Sequence, residues 1–180
     1  MRADAIRNLD AVLQTGARLL AQDPGTSMAT IAAEAGVDRR TVYRRFACRE
    51  ALLAAVFRTK LDAVDEVFDD ARLEDAPVAV ALHRYVEGIV PVIRRWPLDP
   101  EQMRCDTEAY HRMLDQRKRF GAFVDRAIAE GVFRADLPDG MARALLFRTV
   151  DLVASQFPDL EPAPAADIIV DAVLCGVGQP

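Results

Sequence analysis

Apolar positions recur every three to four residues along nearly the whole chain. Ile6, Leu9, Leu13, Ala17 and Leu20 form the first such stripe, the signature of an amphipathic helix. Gly16 sits inside it, weakening the helix by about 1 kcal/mol against alanine while permitting close packing. "DPGTS" at 23–27 breaks the pattern, because Pro24 and Gly25 are turn formers. Ser27 suits the N-cap of a second helix, where its hydroxyl accepts from an orphan backbone N–H. That helix runs to about Ala35, and Gly36 suits a C-terminal turn with positive φ. Asp38 can cap a third helix reaching about Arg45. A fourth begins near Cys48 and carries Leu52, Leu53, Val56, Val64, Val67 and Phe68. Around residues 72–77 it yields to a fifth, which Pro91 should kink. "WPLDP" at 96–100 is a break, one or two helices fill 101–130, and "EGVFRADLPDG" is a loop. Helical spacing resumes from Met141 to Phe157, "PDLEPAPA" interrupts it, and a last helix spans roughly 165–175. No period-2 run is long enough for a useful strand, so the expected class is all-α with about nine helices.

The hydrophobic fraction of 51% in 180 residues is enough for a real core. No apolar run approaches the roughly 20 residues needed to span a bilayer. The first twenty residues carry Asp4 and Asp10 and show helical apolar spacing, unlike a signal peptide. A cytoplasmic protein without a membrane partner is expected. Cys48, Cys105 and Cys175 are odd in number and far apart, which fits neither a disulfide framework nor a zinc site. His83 and His111, even with Cys105 or Asp106, lack a spacing such as His-x-x-x-His, so no metal is expected. With two histidines, no Gly-rich phosphate loop and no metal motif, nothing supports an enzyme or a cofactor.

Charge changes the picture. The formal net charge is −5, yet residues 1–60 carry +4 and residues 61–180 carry −9. Five arginines lie between Arg39 and Arg49, with no acid between Asp38 and Glu50. A basic end on an acidic body suggests one face that meets a polyanion. The second and third helices are short and joined by a tight turn: Ala32 permits close crossing, Gly36 makes the turn, and Val37 and Val42 close a small core. This is the logic of a helix-turn-helix, whose second helix enters the major groove. Its outward positions are Arg39, Arg40, Thr41, Tyr43, Arg44 and Arg45. Arginine pairs bidentately with guanine, and Thr, Tyr and Arg donate to phosphates. Arg49 stands at the start of the fourth helix, a further phosphate-favouring place. A second basic cluster, "DQRKRF" at 115–120, is flanked by acids and reads as solvated or, alternatively, as lining the entrance of an anionic ligand.

The stretch "TIAAEAGVDRRTVYRRFACREALLAAVF" resembles the DNA-binding signature of the TetR/AcrR family of bacterial transcriptional regulators. It shares the Ile-Ala-x-x-Ala-Gly-Val core, the Thr-x-Tyr-x-x-Phe recognition helix and the basic-Glu-x-Leu-Leu start of helix four. "AVLQTGARLLAQD" resembles the family's first helix, so the similarity covers about residues 5–60. Gly16 stands where alanine is usual, Ala47-Cys48 replaces Pro-Ser or Pro-Asn, and Ala29 offers no long side chain. The resemblance implies that Ser27, Thr41, Tyr43, Arg45 and Arg49 contact phosphates, while Arg39, Arg40 and Arg44 approach base edges. Phe46 and Val42 are core by the same correspondence.

The resemblance also implies a DNA-binding domain over 1–50 and a helical regulatory domain over 51–180. It implies a homodimer through the last two helices, with Leu145, Leu146, Val150, Val153, Ile168, Ile169, Ala172 and Val173 as interface candidates. A dimer implies a pseudo-palindromic operator on double-stranded DNA. The middle helices would enclose an unidentified small-molecule effector, with His83, Val86, Val90, Trp96, Met103, Tyr110, Met113, Phe120, Phe123 and Phe147 as candidate lining. The expected function is a sequence-specific regulator, a repressor controlled by an effector. The alternative is a constitutive or architectural DNA-binding protein without an effector, which the N-terminal half supports equally well.

Overall fold

A computed structural model describes residues 2–98 and 106–177, with side chains from 6–98 and 106–176. Eight helices follow one another: α1 (Arg2–Gln22), α2 (Met28–Glu34), α3 (Arg39–Arg45), α4 (Arg49–Ala71), α5 (Val78–Arg95), α6 (Thr107–Ala129), α7 (Met141–Gln156) and α8 (Pro162–Val177). The fold of the described residues is all-α, with eight helices, near the nine expected, and 107–129 is a single helix.

The local chemistry that starts and stops these helices is visible in the hydrogen bonds. Ser27 Oγ accepts the Thr30 N–H at 3.1 Å and opens α2. Gly36 turns the chain with φ +64°, a conformation that costs glycine nothing because it has no Cβ. Asp38 Oδ1 accepts the N–H groups of Arg40 at 2.9 Å and Thr41 at 3.2 Å, opening α3. Asp106 does the same for α6, accepting from Glu108 and Ala109 at 3.1 and 3.2 Å.

Two elements depart from the periodicity reading. Pro162-Ala-Pro-Ala was expected to interrupt the helical pattern, yet it forms the first turn of α8. First-turn residues have no intrahelical N–H bond to lose, so proline is tolerated there. Ile6, assigned to the buried stripe of α1, is 62% exposed. Burial on that helix begins at Val12 and continues through Leu13, Ala17 and Leu20. Pro91 lies inside α5 at an exposed position, where the Glu87 carbonyl that loses its N–H partner can meet water.

By its contacts the chain divides into two compact units, residues 1–62 with 95–112 and residues 63–94 with 113–180. In the first unit α1 packs on α2 and α2 on α3. Its core holds Leu20, Ile31, Ala32, Val42, Phe46, Leu52, Val56, Phe57 and Trp96. In the second unit α7 packs on α8. The core there holds Phe68, Leu82, Val86, Phe120, Phe133, Leu146 and Ile169. Five rings form a chain within it: Tyr85 and Phe120 lie 4.7 Å apart, Phe120 and Phe147 5.1 Å, Phe68 and Tyr85 5.8 Å, and Phe120 and Phe123 5.8 Å. Burial pushes the Tyr85 hydroxyl well above the usual phenol range, so it stays protonated.

Polar side chains of α6 fasten this second unit. Gln116 donates to Asp65 at 2.7 Å, and Arg119 reaches both Asp69 at 2.7 Å and Glu74. Arg126 donates to the carbonyls of Leu73 and Ala76, both at 2.9 Å. The 115–120 cluster is thus not simply solvated. Arg117 and Lys118 are exposed, but Gln116 and Arg119 tie α6 to α4 and the turn after it. The mismatch arises because flanking acids on one strand of sequence say nothing about acids on a facing helix.

Candidate nucleic-acid interface

The site is built on α3. Val42 and Phe46 are buried, at 2% and 6% exposure, and fix which side of the helix faces the core. The remaining positions fall into three outward pairs spaced four apart: Arg39 with Tyr43, Arg40 with Arg44, and Thr41 with Arg45. All but the half-buried Thr41 are exposed. Like charges four apart, as at Arg40 and Arg44, destabilise a helix on their own. Among the described residues, Arg40, Arg44 and Arg45 make no ion pair. By contrast, Arg58, Arg95, Arg112, Arg119 and Arg134 each meet a carboxylate. Arg39 also lacks a carboxylate partner among the described residues, but its Cζ stands 5.2 Å from the centroid of the Tyr43 ring.

The flanking candidates are engaged locally. Ser27 Oγ caps α2 and is hydrogen-bonded to Thr30 Oγ1 at 2.8 Å. Arg49 donates to the Pro24 carbonyl and lies 3.5 Å from the Glu50 carboxylate. A backbone N–H at the start of α4, then the side chains of Cys48 and Arg49, hold the Glu50 carboxyl below the usual range. Glu50 is therefore anionic at the helix end where a phosphate was expected to sit. Sequence reasoning missed the tie between Arg49 and Pro24, because nothing local signals a partner 25 residues away.

The remaining candidates separate by unit. Trp96 and Tyr110 belong to the first unit, while His83, Val86, Val90, Met113, Phe120, Phe123 and Phe147 belong to the second. Met103 lies outside the described residues. Val86, Val90, Phe120 and Phe123 are buried, and Phe147 is 38% exposed. His83 hydrogen-bonds Asp167 at 2.9 Å, joining α5 to α8. The phenolic ring of Tyr85 belongs to the same aromatic chain and was not among the sequence candidates. Among the described residues, no three His, Cys, Asp or Glu side chains are placed to hold a metal ion.

The dimer candidates also divide. Leu146, Val150, Val153, Ile169 and Val173 are buried inside the second unit. Leu145 and Ile168 stay 41% and 54% exposed, and Ala172 is exposed too. Met141 and Leu152, which the sequence reading did not name, add to the exposed apolar set on α7. No helix of the described residues is long and apolar enough to cross a membrane.

Known proteins resemble this chain in sequence over these helices and in overall fold. Residues 12–56, from α1 through the first turns of α4, match the family described as bacterial regulatory proteins, tetR family. Over 173 residues the chain is 28% identical to the HTH-type transcriptional repressor LfrR of Mycolicibacterium smegmatis, covering 93% of this chain and 87% of that protein. The solved structure of the TetR-like transcriptional regulator LfrR from Mycobacterium smegmatis superposes with a TM-score of 0.73 at 24% identity, covering 98% of this chain and 99% of that one. The ketosteroid transcriptional regulator KstR2 of Mycobacterium tuberculosis gives a TM-score of 0.77 at 20% identity, covering 94% of both chains.

Proposed function

We propose that this chain, a member of the tetR family of bacterial regulatory proteins, is a cytoplasmic repressor that binds a pseudo-palindromic operator as a homodimer under the control of a small-molecule effector. The observation that carries the reading is the set of guanidiniums on α3. Arg40, Arg44 and Arg45 are exposed, close together and without ion-pair partners among the described residues. An array of this kind is unfavourable in the free protein and is relieved by a polyanion. Its position on the second helix of a helix-turn-helix directs it to the major groove.

The homodimer is supported by the exposed apolar side chains of α7 and α8, with Leu145, Leu152 and Ile168 each more than 40% exposed. Effector control is supported by the aromatic chain of the second unit and by a relative crystallised in complex with proflavine. α4 is one continuous helix whose residues up to Asp62 belong to the first unit and whose later residues belong to the second. In this reading effector binding and DNA binding are coupled, and the coupling is reciprocal. The domain boundary in this reading lies near residue 50.

The test is selection of bound duplexes from a random DNA library by the purified chain at near-physiological salt. Enrichment of one palindromic motif is the expected result. Binding confined to low salt with no motif enriched would leave a sequence-indifferent DNA-binding protein in its place.

A further inference from the structure

Arg39 and Tyr43 stand one turn apart on the same side of α3, with the guanidinium carbon 5.2 Å from the ring centroid. We infer that Tyr43 is a positioning residue that holds Arg39 for bidentate recognition of one guanine in the major groove. The inference rests on the reading of α3 as the recognition helix.

Three observations carry it. First, Arg39 has no carboxylate to orient it among the described residues. The neighbouring acid, Asp38, directs its Oδ1 to the backbone N–H groups of Arg40 and Thr41 instead. The stack on Tyr43 is the contact that restrains the side chain. Second, a guanidinium held over a ring is not held through its hydrogen-bond donors. Its N–H donors lie in the plane of the group and stay available, whereas an ion pair would consume them. That planar fork matches guanine O6 and N7. Third, Arg39 is the first residue of α3, the end of a recognition helix that meets base edges. Arg40 and Arg44 are equally exposed but have no ring beneath them among the described residues. An arginine already held loses less freedom on binding, so more of its contact energy appears as discrimination. Tyr43 is 41% exposed, so the ring is not there to fill the core.

The hydroxyl and the ring of Tyr43 then have separable effects. The hydroxyl is free to donate to a phosphate, which affects all sequences alike. The ring affects the one base that Arg39 reads.

The experiment is the binding-site selection repeated at one salt concentration with the full-length wild type, Arg39→Ala, Tyr43→Phe and Tyr43→Ala. Melting temperatures of the four proteins establish that each is folded. Arg39→Ala is expected to flatten the preference for guanine at one position of each half-site by about tenfold or more. Tyr43→Ala is expected to flatten the same position, and Tyr43→Phe to keep that preference while binding every sequence somewhat more weakly. Uniform weakening by Tyr43→Ala with its base preferences intact would overturn the inference, as would relaxation of different positions by Arg39→Ala and Tyr43→Ala. If the wild type enriches no motif, the regulator reading itself fails and takes this inference with it. A wild type that selects a motif unchanged by all three substitutions leaves that reading standing and removes only the role of Arg39 and Tyr43.

Discussion

The guanidinium of Arg49 donates to the carbonyl of Pro24, binding the first turn of α4 to the turn between α1 and α2. This contact ties the first residue of α4, which follows the recognition helix, to the turn that precedes α2. Arg49→Ala should therefore lower the stability of the chain by about 1 kcal/mol, the scale of a charged hydrogen bond discounted for partial exposure. Denaturant unfolding measures this. Unchanged stability with weakened DNA binding would instead make Arg49 a phosphate contact alone.

The pair Arg45 and Arg40 should separate phosphate contacts from base contacts. Arg45→Ala is expected to weaken binding to all sequences alike and to reduce the log–log salt slope by about 1. Arg40→Ala is expected to cost about 1–3 kcal/mol on the preferred operator and to relax one position. Salt titrations of both variants on two operators decide it. Identical behaviour of the two variants would sink the distinction.

Gly16 and Gly88 should respond oppositely to alanine. A Cβ on Gly16 would meet Leu52 at 3.4 Å, an ordinary contact, so Gly16→Ala should stabilise α1 by about 1 kcal/mol. A Cβ on Gly88 would meet both methyls of Val67, at 3.0 and 3.1 Å. Valine cannot swing away freely, so Gly88→Ala should destabilise by about 1–2 kcal/mol. Two melting curves against the wild type test the pair.

Hydrogen bonding from Arg119 is the main cause that holds the Glu74 carboxyl below its ordinary value of 4.5. A lowered folded-state value means that this stabilisation is complete above pH 4.5 and is lost as pH falls through the folded value. Glu74→Gln should accordingly show a shallower loss of stability with acid over that window, measured by urea unfolding from neutral pH downward. An unchanged slope would mean that other carboxylates dominate the acid response.

On α7, neighbouring leucines should behave differently. Leu145 is 41% exposed and Leu146 fully buried. Leu145→Glu should leave a folded chain of monomer mass in light scattering, because it charges only the proposed interface. Leu146→Glu should unfold the second unit, since a buried unpaired carboxylate is costly. A dimer that survives both Leu145→Glu and Ile168→Glu would place the interface elsewhere.

The sequence by itself determined the helices, their caps and the turn of the DNA-binding half. Ser27, Gly36 and Asp38 act on backbone groups within a few residues of themselves, so their roles follow from local chemistry. The three outward pairs of α3 follow equally, because helical spacing fixes which residues share a side. Only the tertiary structure decided what depends on a distant partner. It placed Arg49 on Pro24 and Arg119 on Asp69 and Glu74. It divided the apolar residues of α7 and α8 into a core face and an exposed face. Periodicity could not make that division, since helices apolar around most of their circumference carry no internal mark of which side is covered. The Arg39–Tyr43 stack lies between the two cases: the spacing permits it, and the rotamers chosen in the folded chain make it.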